Sequence, residues 1–402
     1  MKQVYIIDYI RTPIAKFQGG LSEVRADDLA AIVLKEIVKR NPQIPAEEIE
    51  DVILGCANQA GEDNRNVARM ASLLAELPIK IGGETVNRLC ASGMAAIANA
   101  YRAIAIGEGD FYIVGGVEQM TRAPYVLSKS AQPFGRDVQL FDSSFGWRFV
   151  NPKMKELYGV DGMGETAENL AEIYKISREA QDEFALLSQQ KATSAQNSGR
   201  LAQEIVNVEI PQKKGEPKIF SQDEFVKPDT TLDKLAKLRP AFKKEGGSVT
   251  AGNSSGLNDG AAAMILASED AVKKYNLKPL AKIISSAVVG VEPRIMGIGP
   301  VEATKKALSR ANLSLEDMDI IELNEAFAAQ ALSVLQELGI DAKDERLNPN
   351  GGAIALGHPL GMSGTRIVGT AALELQKKNK KYALCTLCIG VGQGYAMIIE
   401  KI

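Results

Sequence analysis

Alternating strand and helix patterns fill the first part of the chain. Val4 to Ile10 is an apolar run of strand length, and Ala26 to Arg40 carries apolar residues at the three- and four-residue spacing of an amphipathic helix. Ile44 to Ala57 then predicts a helical turn that leads into a second strand. Strands that alternate with helices favour an α/β fold with a largely parallel sheet.

The same succession of elements returns near the C-terminus. Ala281 to Val288 predicts a strand and Val301 to Arg310 a helix, and Leu313 to Ala326 repeats the rhythm of residues 44–57 at an offset of 269 residues. A chance match is the alternative, because βαβ patterns look alike in unrelated proteins. We favour a duplication, in which two similar α/β halves pack about a pseudo-twofold axis.

Each half also contains a reactive side chain just before a predicted helix. Cys90 precedes a helix through Ile106, and His358 precedes a helix through Lys378. Each helix leads into a further predicted strand, Phe111 to Val114 and Tyr382 to Leu387. Backbone N–H groups converge at a helix N-terminus and favour negative charge there. A duplication would therefore place Cys90 and His358 at equivalent positions.

The span between the two copies belongs to neither. We predict an N-terminal half of residues 1–119 plus 248–270, an inserted domain of residues 120–247 and a C-terminal half of residues 271–402. The insertion contains a long helical stretch from Thr166 to Gly199, a strand-like segment from Glu204 to Ile210 and many lysines. Such lysines usually form a solvated surface, although beside an active site they could bind phosphates.

Composition narrows the classes of function. The 402 residues are 45% hydrophobic and 24% charged, and the net charge of −3 gives no bulk attraction to nucleic acid. We expect no membrane span, since no apolar run approaches ~20 residues, and the N-terminus is charged too early for a signal peptide. Four cysteines are too few for a disulfide scaffold and lack metal-ligand spacing. We therefore expect a cytoplasmic protein with reduced thiols and no metal.

The only histidine of the chain, His358, lies in a glycine-rich run. Imidazole changes charge near neutral pH, so His358 could act as a base toward Cys90. A helix N-terminus would lower the pKa of the Cys90 thiol and make it a nucleophile. A structural role is the commoner fate of an isolated histidine, but the cysteines in comparable settings favour a catalytic one.

Two further candidates lie at predicted strand ends. Cys388 opens the glycine turn of residues 388–394, where a thiol could transfer a proton. The alternative is a buried packing cysteine, as we expect of Cys385. Asn324 ends its strand, and its amide could hold a water or an oxyanion. The glycines of residues 390–394 resemble a dinucleotide-binding loop, but no long helix follows them.

Four sequence blocks carry a family resemblance that spans the chain. Residues 87–93 (NRLCASG), 324–328 (NEAFA), 351–359 (GGAIALGHP) and 388–390 (CIG) are similar, in this order, to the four signature blocks of the thiolases. Within that family, residues 55–69 and 383–394 resemble the 3-oxoadipyl-CoA thiolases of aromatic degradation by the beta-ketoadipate pathway.

The resemblance implies a fold and a mechanism. It implies two similar α/β halves with an inserted CoA-binding loop domain, commonly as a homotetramer built as a dimer of dimers. CoA is a substrate, and no cofactor is permanently bound. Cys90 carries the acyl group, His358 assists its deprotonation, Cys388 transfers protons, and Asn324 holds a water. Backbone N–H groups of Cys90 and Gly390 bind the oxyanion.

The same resemblance implies contacts with CoA. Ser255 matches the pantetheine contact of the family, and Lys227 falls where many thiolases place a basic residue toward CoA. Met163, Phe242 and Phe327 complete the predicted set of CoA-binding residues.

One departure from the family pattern bears on the substrate. Acetoacetyl-CoA-type thiolases carry a histidine where this chain has Gly162, so we expect a different acyl pocket and favour cleavage of 3-oxoadipyl-CoA to succinyl-CoA and acetyl-CoA. The alternatives are an acetyl-CoA acetyltransferase, a broader fatty-acid 3-ketoacyl-CoA thiolase, a decarboxylating ketosynthase and a non-catalytic acyl-CoA-binding protein. The single histidine excludes a Cys-His-His ketosynthase.

A 3-oxoadipyl chain ends in a second carboxylate, which needs a cation or several donors nearby. The candidate cations between residues 120 and 163 are Arg122, Lys129, Arg136, Arg148 and Lys153. We favour Arg148, because Trp147 and Phe149 flank it and could exclude water. The alternative is that Arg148 only ties its loop to the core or to a neighbouring subunit.

Overall fold

The computed structural model describes residues 2–402 of the chain. The strands are β1 (Val4–Arg11), β2 (Ala15–Lys16), β3 (Ile49–Gly55), β4 (Glu84–Val86), β5 (Phe111–Gln119), β6 (Tyr125–Leu127), β7 (Leu140–Asp142), β8 (Val208–Ile210), β9 (Lys218–Phe220), β10 (Asn258–Ser268), β11 (Ala281–Gly290), β12 (Ile320–Leu323), β13 (Tyr382–Ile389) and β14 (Gln393–Lys401). The helices are α1 (Ala26–Arg40), α2 (Val67–Leu74), α3 (Ser92–Ile106), α4 (Pro152–Tyr158), α5 (Met163–Ile173), α6 (Arg178–Asn197), α7 (Leu232–Ala236), α8 (Glu269–Lys274), α9 (Gly299–Ala311), α10 (Ala328–Leu338), α11 (Ala353–Leu356) and α12 (Leu360–Lys378).

The main sheet has ten strands, and its pairing repeats on both sides of the centre. From one edge the order is β12, β13, β14, β11, β1, β10, β5, β3 and β4, with β2 paired to β10. β12 runs parallel to β13 as β3 does to β5, while β14 and β10 run antiparallel to both of their neighbours in this order. β11 and β1 meet at the centre. This mirrored order confirms two similar α/β halves.

The expectation of a largely parallel sheet is wrong. Three pairings of the main sheet are parallel and six are antiparallel. The difference comes from β10 and β14, which return beside β5 and β13. The hairpin between β13 and β14 is too tight for a crossover helix, and such a connection makes its strands antiparallel.

Two helices occupy the centre of the molecule. The helices α3 and α12 pack against each other and against both halves of the sheet, while α1 and α2 cover one outer face and α9 and α10 the other. β10 is buried along its whole length: Met264 and its alternate neighbours face the central core, and Ile265 and its neighbours face α1. Burial on both faces explains why such strands are continuous apolar runs.

The same central position explains the composition of α3. Residues 89–106 form the one helical window among residues 2–402 with the length and hydropathy of a membrane span, and 61% of it is buried in the fold. Gly93 and Gly364 let α3 and α12 approach closely. A Cβ on Gly93 would lie 2.6 Å from Thr365 Oγ1, and one on Gly364 would lie 2.3 Å from the amide nitrogen of Met94. The apolar character of α3 thus reflects core packing.

The segment between β5 and β10 differs in detail from its prediction. The expected helix from Thr166 to Gly199 is two helices, α5 and α6, separated by Lys175 with a positive φ of 54°. Strand β8 occupies only the end of the predicted stretch from Glu204 to Ile210, after a 3₁₀ turn. A non-glycine residue at positive φ ends a helix, because the left-handed conformation cannot continue it.

Buried ion pairs tie this segment to the two halves. Arg11 of β1 contacts Glu204 at 2.7 Å and Asp223 at 2.7 Å, and Arg200 contacts Glu204 at 3.0 Å and Glu374 of α12 at 2.9 Å. Breaking a buried pair leaves an uncompensated charge and costs about 3–5 kcal/mol. The segment is therefore fixed against both halves.

Candidate active site

Cys90 and His358 occupy matching positions in the two halves. Each lies two residues before a central helix, Cys90 before α3 and His358 before α12. Leu89, which precedes Cys90, has a positive φ of 47°. Strained backbone of this kind persists where the surroundings over-determine it and is common at functional sites. The prediction of equivalent helix starts is confirmed.

Hydrogen bonds set the orientation and tautomer of His358. The Ser363 hydroxyl donates to the Pro359 carbonyl oxygen at 2.8 Å, so its oxygen accepts from Nδ1 of His358 at 2.7 Å. Nδ1 therefore carries the proton, and Nε2 accepts from Nδ2 of Asn324 at 3.3 Å. The neutral imidazole thus has its one basic lone pair on Nε2, and Asn324 shares it in the free protein.

The surroundings of His358 strongly favour this neutral form. Burial and the positive charge of Arg366 lower the pKa of His358 to about 3. Desolvation disfavours a charged imidazole, and a nearby cation adds to that penalty. His358 can therefore accept a proton only when developing negative charge in the site compensates the new imidazolium.

The expected low pKa of Cys90 is not present in the free protein. Burial raises the pKa of the Cys90 thiol to about 11, although backbone N–H groups of Gly390 and of Cys90 itself oppose the shift. Desolvation outweighs these amide dipoles because the one nearby imidazole is neutral. The effect of the two amides has the sign expected of donors that stabilise negative charge at this place.

Cys388 lies within β13 rather than after it, and it is fully buried. It packs against Ala326, Phe327 and their neighbours, so the thiol that could transfer a proton is also part of the buried core. Burial, followed by the proximity of Cys90, raises the pKa of the Cys388 thiol. The turn after β13 contains Val391 with a positive φ of 64°, and it holds the Gly390 amide near Cys90.

Two cavities meet at Cys90. The first, of about 320 Å³, is lined by Leu89, Cys90, Gly390 and the loop that contains Trp147 and Arg148. Gly162, the position at which the predicted acyl pocket departs from the family pattern, also lines it. The second, of about 440 Å³, brings together Cys90, His358 and Cys388. The arrangement can hold a two-part substrate whose reacting carbon lies at Cys90.

All five predicted CoA-binding residues line the second cavity, namely Ser255, Lys227, Phe242, Phe327 and Met163. The rings of Phe242 and Phe327 pack edge to face with centroids 6.1 Å apart. The hydroxyl of Ser255 donates to the carbonyl oxygen of Ala326 at 3.0 Å. Lys227 Nζ lies 4.8 Å from the centroid of the Phe225 ring. These contacts give the cavity apolar walls and a cation.

Family profiles match almost the whole chain. A thiolase N-terminal domain matches residues 4–270, and a thiolase C-terminal domain matches residues 277–401. The chain belongs to the thiolase family. It is therefore an acyltransferase, and the predicted family and fold are confirmed.

This thiolase is similar over its whole length to proteins named as 3-oxoadipyl-CoA or beta-ketoadipyl-CoA thiolases. It is 59% identical over 402 residues to the 3-oxoadipyl-CoA/3-oxo-5,6-dehydrosuberyl-CoA thiolase of Escherichia coli (strain K12), covering 100% of both chains. It is 58% identical over 402 residues to a beta-ketoadipyl-CoA thiolase of Acinetobacter baylyi, again covering 100% of both chains.

Solved structures share the fold of this thiolase. The Bacillus anthracis acetyl-CoA acetyltransferase superposes with a TM-score of 0.93 at 42% identity, covering 100% of this chain and 99% of that one. The human mitochondrial 3-ketoacyl-CoA thiolase in complex with CoA superposes with a TM-score of 0.91 at 42% identity, covering 100% and 98%.

Three residues that support the site of this thiolase escaped the sequence prediction. Ser363 accepts from His358, and Asn258 Oδ1 accepts from the His358 amide at 3.0 Å. Glu118 accepts from the amides of Ala57, Asn58 and Gly361 and so joins the loop after β3 to the start of α12. Ser363 could have been noticed, because a helix places it one turn beyond Pro359, the residue that follows His358. Asn258 and Glu118 give no comparable local signal.

Proposed function

We propose that this thiolase cleaves 3-oxoadipyl-CoA with CoA to give succinyl-CoA and acetyl-CoA. The observation that carries the proposal is the pair of cavities that meet at Cys90, one lined by the predicted CoA contacts and one by Arg148. The names of the full-length relatives at 58–59% identity support the same substrate.

In the first half-reaction Cys90 is the nucleophile. Its sulfur attacks the C3 ketone while Nε2 of His358 takes the thiol proton, and the C2–C3 bond then breaks. The succinyl group stays on Cys90 as a thioester. The electron pair of the broken bond leaves with acetyl-CoA as an enolate, which Cys388 protonates. Proton transfer coupled to attack fits the raised pKa of Cys90, since a free thiolate never needs to accumulate.

In the second half-reaction a CoA thiol takes the acyl group. The Cys388 thiolate left by the first step deprotonates CoA, whose sulfur attacks the Cys90 thioester. Succinyl-CoA leaves, and the Cys90 thiolate recovers its proton from the His358 imidazolium. The cycle returns every group to its starting protonation state.

Two sets of donors stabilise the charges that develop. The amides of Cys90 and Gly390, which already oppose the raised pKa of the Cys90 thiol, would bind the oxyanion of the tetrahedral intermediate. His358 and a water held by Asn324 would stabilise the enolate oxygen of acetyl-CoA. Support for the water comes from Oδ1 of Asn324, which is buried and has no hydrogen-bond partner among residues 2–402.

We further propose the assembly and setting predicted from the resemblance. Residues 120–247 form the CoA-binding insertion, and four chains form a homotetramer. Exposed apolar residues on the β6–β7 hairpin support an assembly, with Tyr125 73% and Leu127 65% exposed. Four free cysteines fit a reducing cytoplasm, and the reaction fits the beta-ketoadipate pathway of aromatic degradation. No cofactor other than the substrate CoA is required.

A substrate profile tests the proposed reaction. The purified protein is mixed with CoA and 3-oxoadipyl-CoA, acetoacetyl-CoA or 3-oxohexanoyl-CoA, and products are identified by chromatography with mass spectrometry. We expect succinyl-CoA and acetyl-CoA in equal amounts and the highest kcat/KM for 3-oxoadipyl-CoA. A higher kcat/KM for acetoacetyl-CoA would instead identify an acetyl-CoA acetyltransferase, and equal values for all three would indicate a broad 3-ketoacyl-CoA thiolase.

A further inference from the structure

The five cations that were candidates to bind the distal carboxylate of the acyl chain have different surroundings in the structure. Arg122 is paired with Glu62, with Nε to Oε2 at 2.7 Å and Nη2 to Oε1 at 2.6 Å. The other three candidates besides Arg148 have exposed side chains, namely Lys129, Arg136 and Lys153. Arg148 alone of the five lines the cavity that ends at Cys90.

Arg148 enters this cavity with most of its donors unused. Its hydrogen bond to the protein runs from Nη1 to the Ser143 carbonyl oxygen at 3.3 Å, and no carboxylate pairs with it among residues 2–402. A guanidinium has five N–H donors in a planar fork that matches a carboxylate. A half-buried guanidinium without an acidic partner, beside a cavity, is suited to bind an anionic ligand.

The loop around Arg148 is fixed before any ligand binds. Asn58 Nδ2 donates to the Ser143 carbonyl oxygen at 3.1 Å and to its hydroxyl at 3.0 Å, and that hydroxyl donates to Pro124. Nε1 of Trp147 donates to the Asp161 carbonyl oxygen at 3.2 Å. These bonds fix the segment from Ser143 to Trp147 that leads into Arg148. Such preorganisation lowers the entropy cost of binding.

One acidic side chain, Glu118, also lines the cavity and could oppose a substrate carboxylate. Its two oxygens already accept three backbone N–H groups, from Ala57 at 3.0 Å, Asn58 at 2.9 Å and Gly361 at 2.8 Å. Burial raises the pKa of Glu118 to about 7, so its negative charge is only partly present at neutral pH. Glu118 therefore leaves Arg148 as the dominant charge toward the cavity.

We propose that Arg148 binds the distal carboxylate of the 3-oxoadipyl chain and of the succinyl group on Cys90, and so selects dicarboxylic over neutral acyl chains. The inference rests on the proposed function, because only such a substrate carries the second carboxylate. A charged, two-point contact inside a partly water-excluded cavity provides both affinity and orientation. Arg148 is a specificity determinant and takes no part in the bond changes at Cys90.

The test compares two substrates of equal chain length. 3-Oxohexanoyl-CoA has the six-carbon chain of 3-oxoadipyl-CoA with a methyl group in place of the carboxylate. We expect Arg148→Met to lower kcat/KM for 3-oxoadipyl-CoA by roughly 10- to 100-fold, the scale of a lost charged hydrogen bond, and to leave 3-oxohexanoyl-CoA within about threefold. Arg148→Lys should retain part of the preference, because it keeps the charge but loses the fork.

The matched control is Lys153→Met, which removes an exposed cation from the same segment and should change neither substrate. Equal losses of Arg148→Met on both substrates, or an unchanged preference, would overturn the role of Arg148. If that variant fails to fold, the Arg148→Lys comparison on the two substrates carries the test, and an unchanged preference overturns the role. A wild-type protein that prefers 3-oxohexanoyl-CoA would instead overturn the proposed substrate, whatever the variants do.

Discussion

The two helix starts at the centre of the molecule have the same backbone position and opposite chemical surroundings. Cys90 is supported by backbone N–H groups, its own and that of Gly390. His358 is held by side chains, Asn324 on Nε2 and Ser363 on Nδ1. Backbone amides stabilise negative charge when it forms on the Cys90 sulfur or on an oxyanion beside it. The side chains of Asn324 and Ser363 instead fix one tautomer of the His358 ring.

This difference shows what a duplication can and cannot supply. It places Cys90 at the start of α3 and His358 at the start of α12, and the two helices pack closely through Gly93 and Gly364. It does not decide which one is the nucleophile and which one the base. That decision comes from neighbours on other elements, such as the β13–β14 turn and the end of β12.

We expect the largest effect on the rate of thiolysis from a change of Cys90, the thiol of the N-terminal half. Cys90→Ser replaces one atom and should leave the fold intact, but an unactivated hydroxyl is a much weaker nucleophile. We expect thiolysis to fall by roughly 10³-fold or more. Stopped-flow absorbance of the thioester measures the rate, with Cys56→Ser as the control for a buried cysteine. A Cys90→Ser protein that retains a tenth of the activity would contradict the nucleophile assignment.

We expect the next largest effect from a change of Cys388, which distinguishes its role in proton transfer from the role of Cys90 as nucleophile. Cys388→Ser should lower thiolysis by about 10²- to 10⁴-fold, because general acid–base groups contribute on that scale. The variant should still form an acetyl-enzyme on Cys90 from acetyl-CoA, detected by mass spectrometry. It should fail to exchange the methyl protons of acetyl-CoA with deuterium in NMR. Normal exchange in this variant would leave Cys388 with a packing role alone.

A labelling experiment measures how readily the Cys90 thiol ionises in the protein without substrate. Because burial raises the pKa of Cys90 to about 11, the thiolate fraction at lower pH grows tenfold for each unit by which the pH is raised. We expect iodoacetamide to alkylate Cys90 about 100-fold faster at pH 9 than at pH 7, and faster than the fully buried Cys385 or Cys388. Peptide mass spectrometry gives the rates. A rate that is flat between pH 6 and 8 would mean a stabilised thiolate and an ion pair with His358.

The smallest effect concerns the support of His358. Ser363→Ala removes the acceptor of Nδ1–H and should lower kcat by roughly 3- to 10-fold at unchanged KM, since one hydrogen bond that orients the base is lost. Ser333→Ala is a matched control, because Ser333 also donates to a carbonyl oxygen one turn back, at 2.8 Å. Both variants should lose similar thermal stability. A kcat as high as that of the control would remove Ser363 from the positioning of His358.

Local patterns predicted many of the elements well. The helix expected at Ala26 to Arg40 has those bounds, and the strands expected from Val4, Ala281 and Tyr382 begin at those residues. The errors lie where contacts with distant parts of the chain determine the structure. The predicted long helix is broken at Lys175, strand β13 extends past Leu387, and the sheet is mixed instead of largely parallel. The period of apolar residues specifies an element, but it does not specify the direction of the strand beside it.

The chain by itself determined the candidate reactive groups of this thiolase and their order, because a family block is a local string of residue types. Cys90, Asn324, His358 and Cys388 were all identifiable without coordinates. Only the tertiary structure decided their state: burial and the charge of Arg366 set the pKa of His358, and desolvation raises the pKa of Cys90. Solvent exclusion depends on side chains far apart in sequence, so no local pattern contains it.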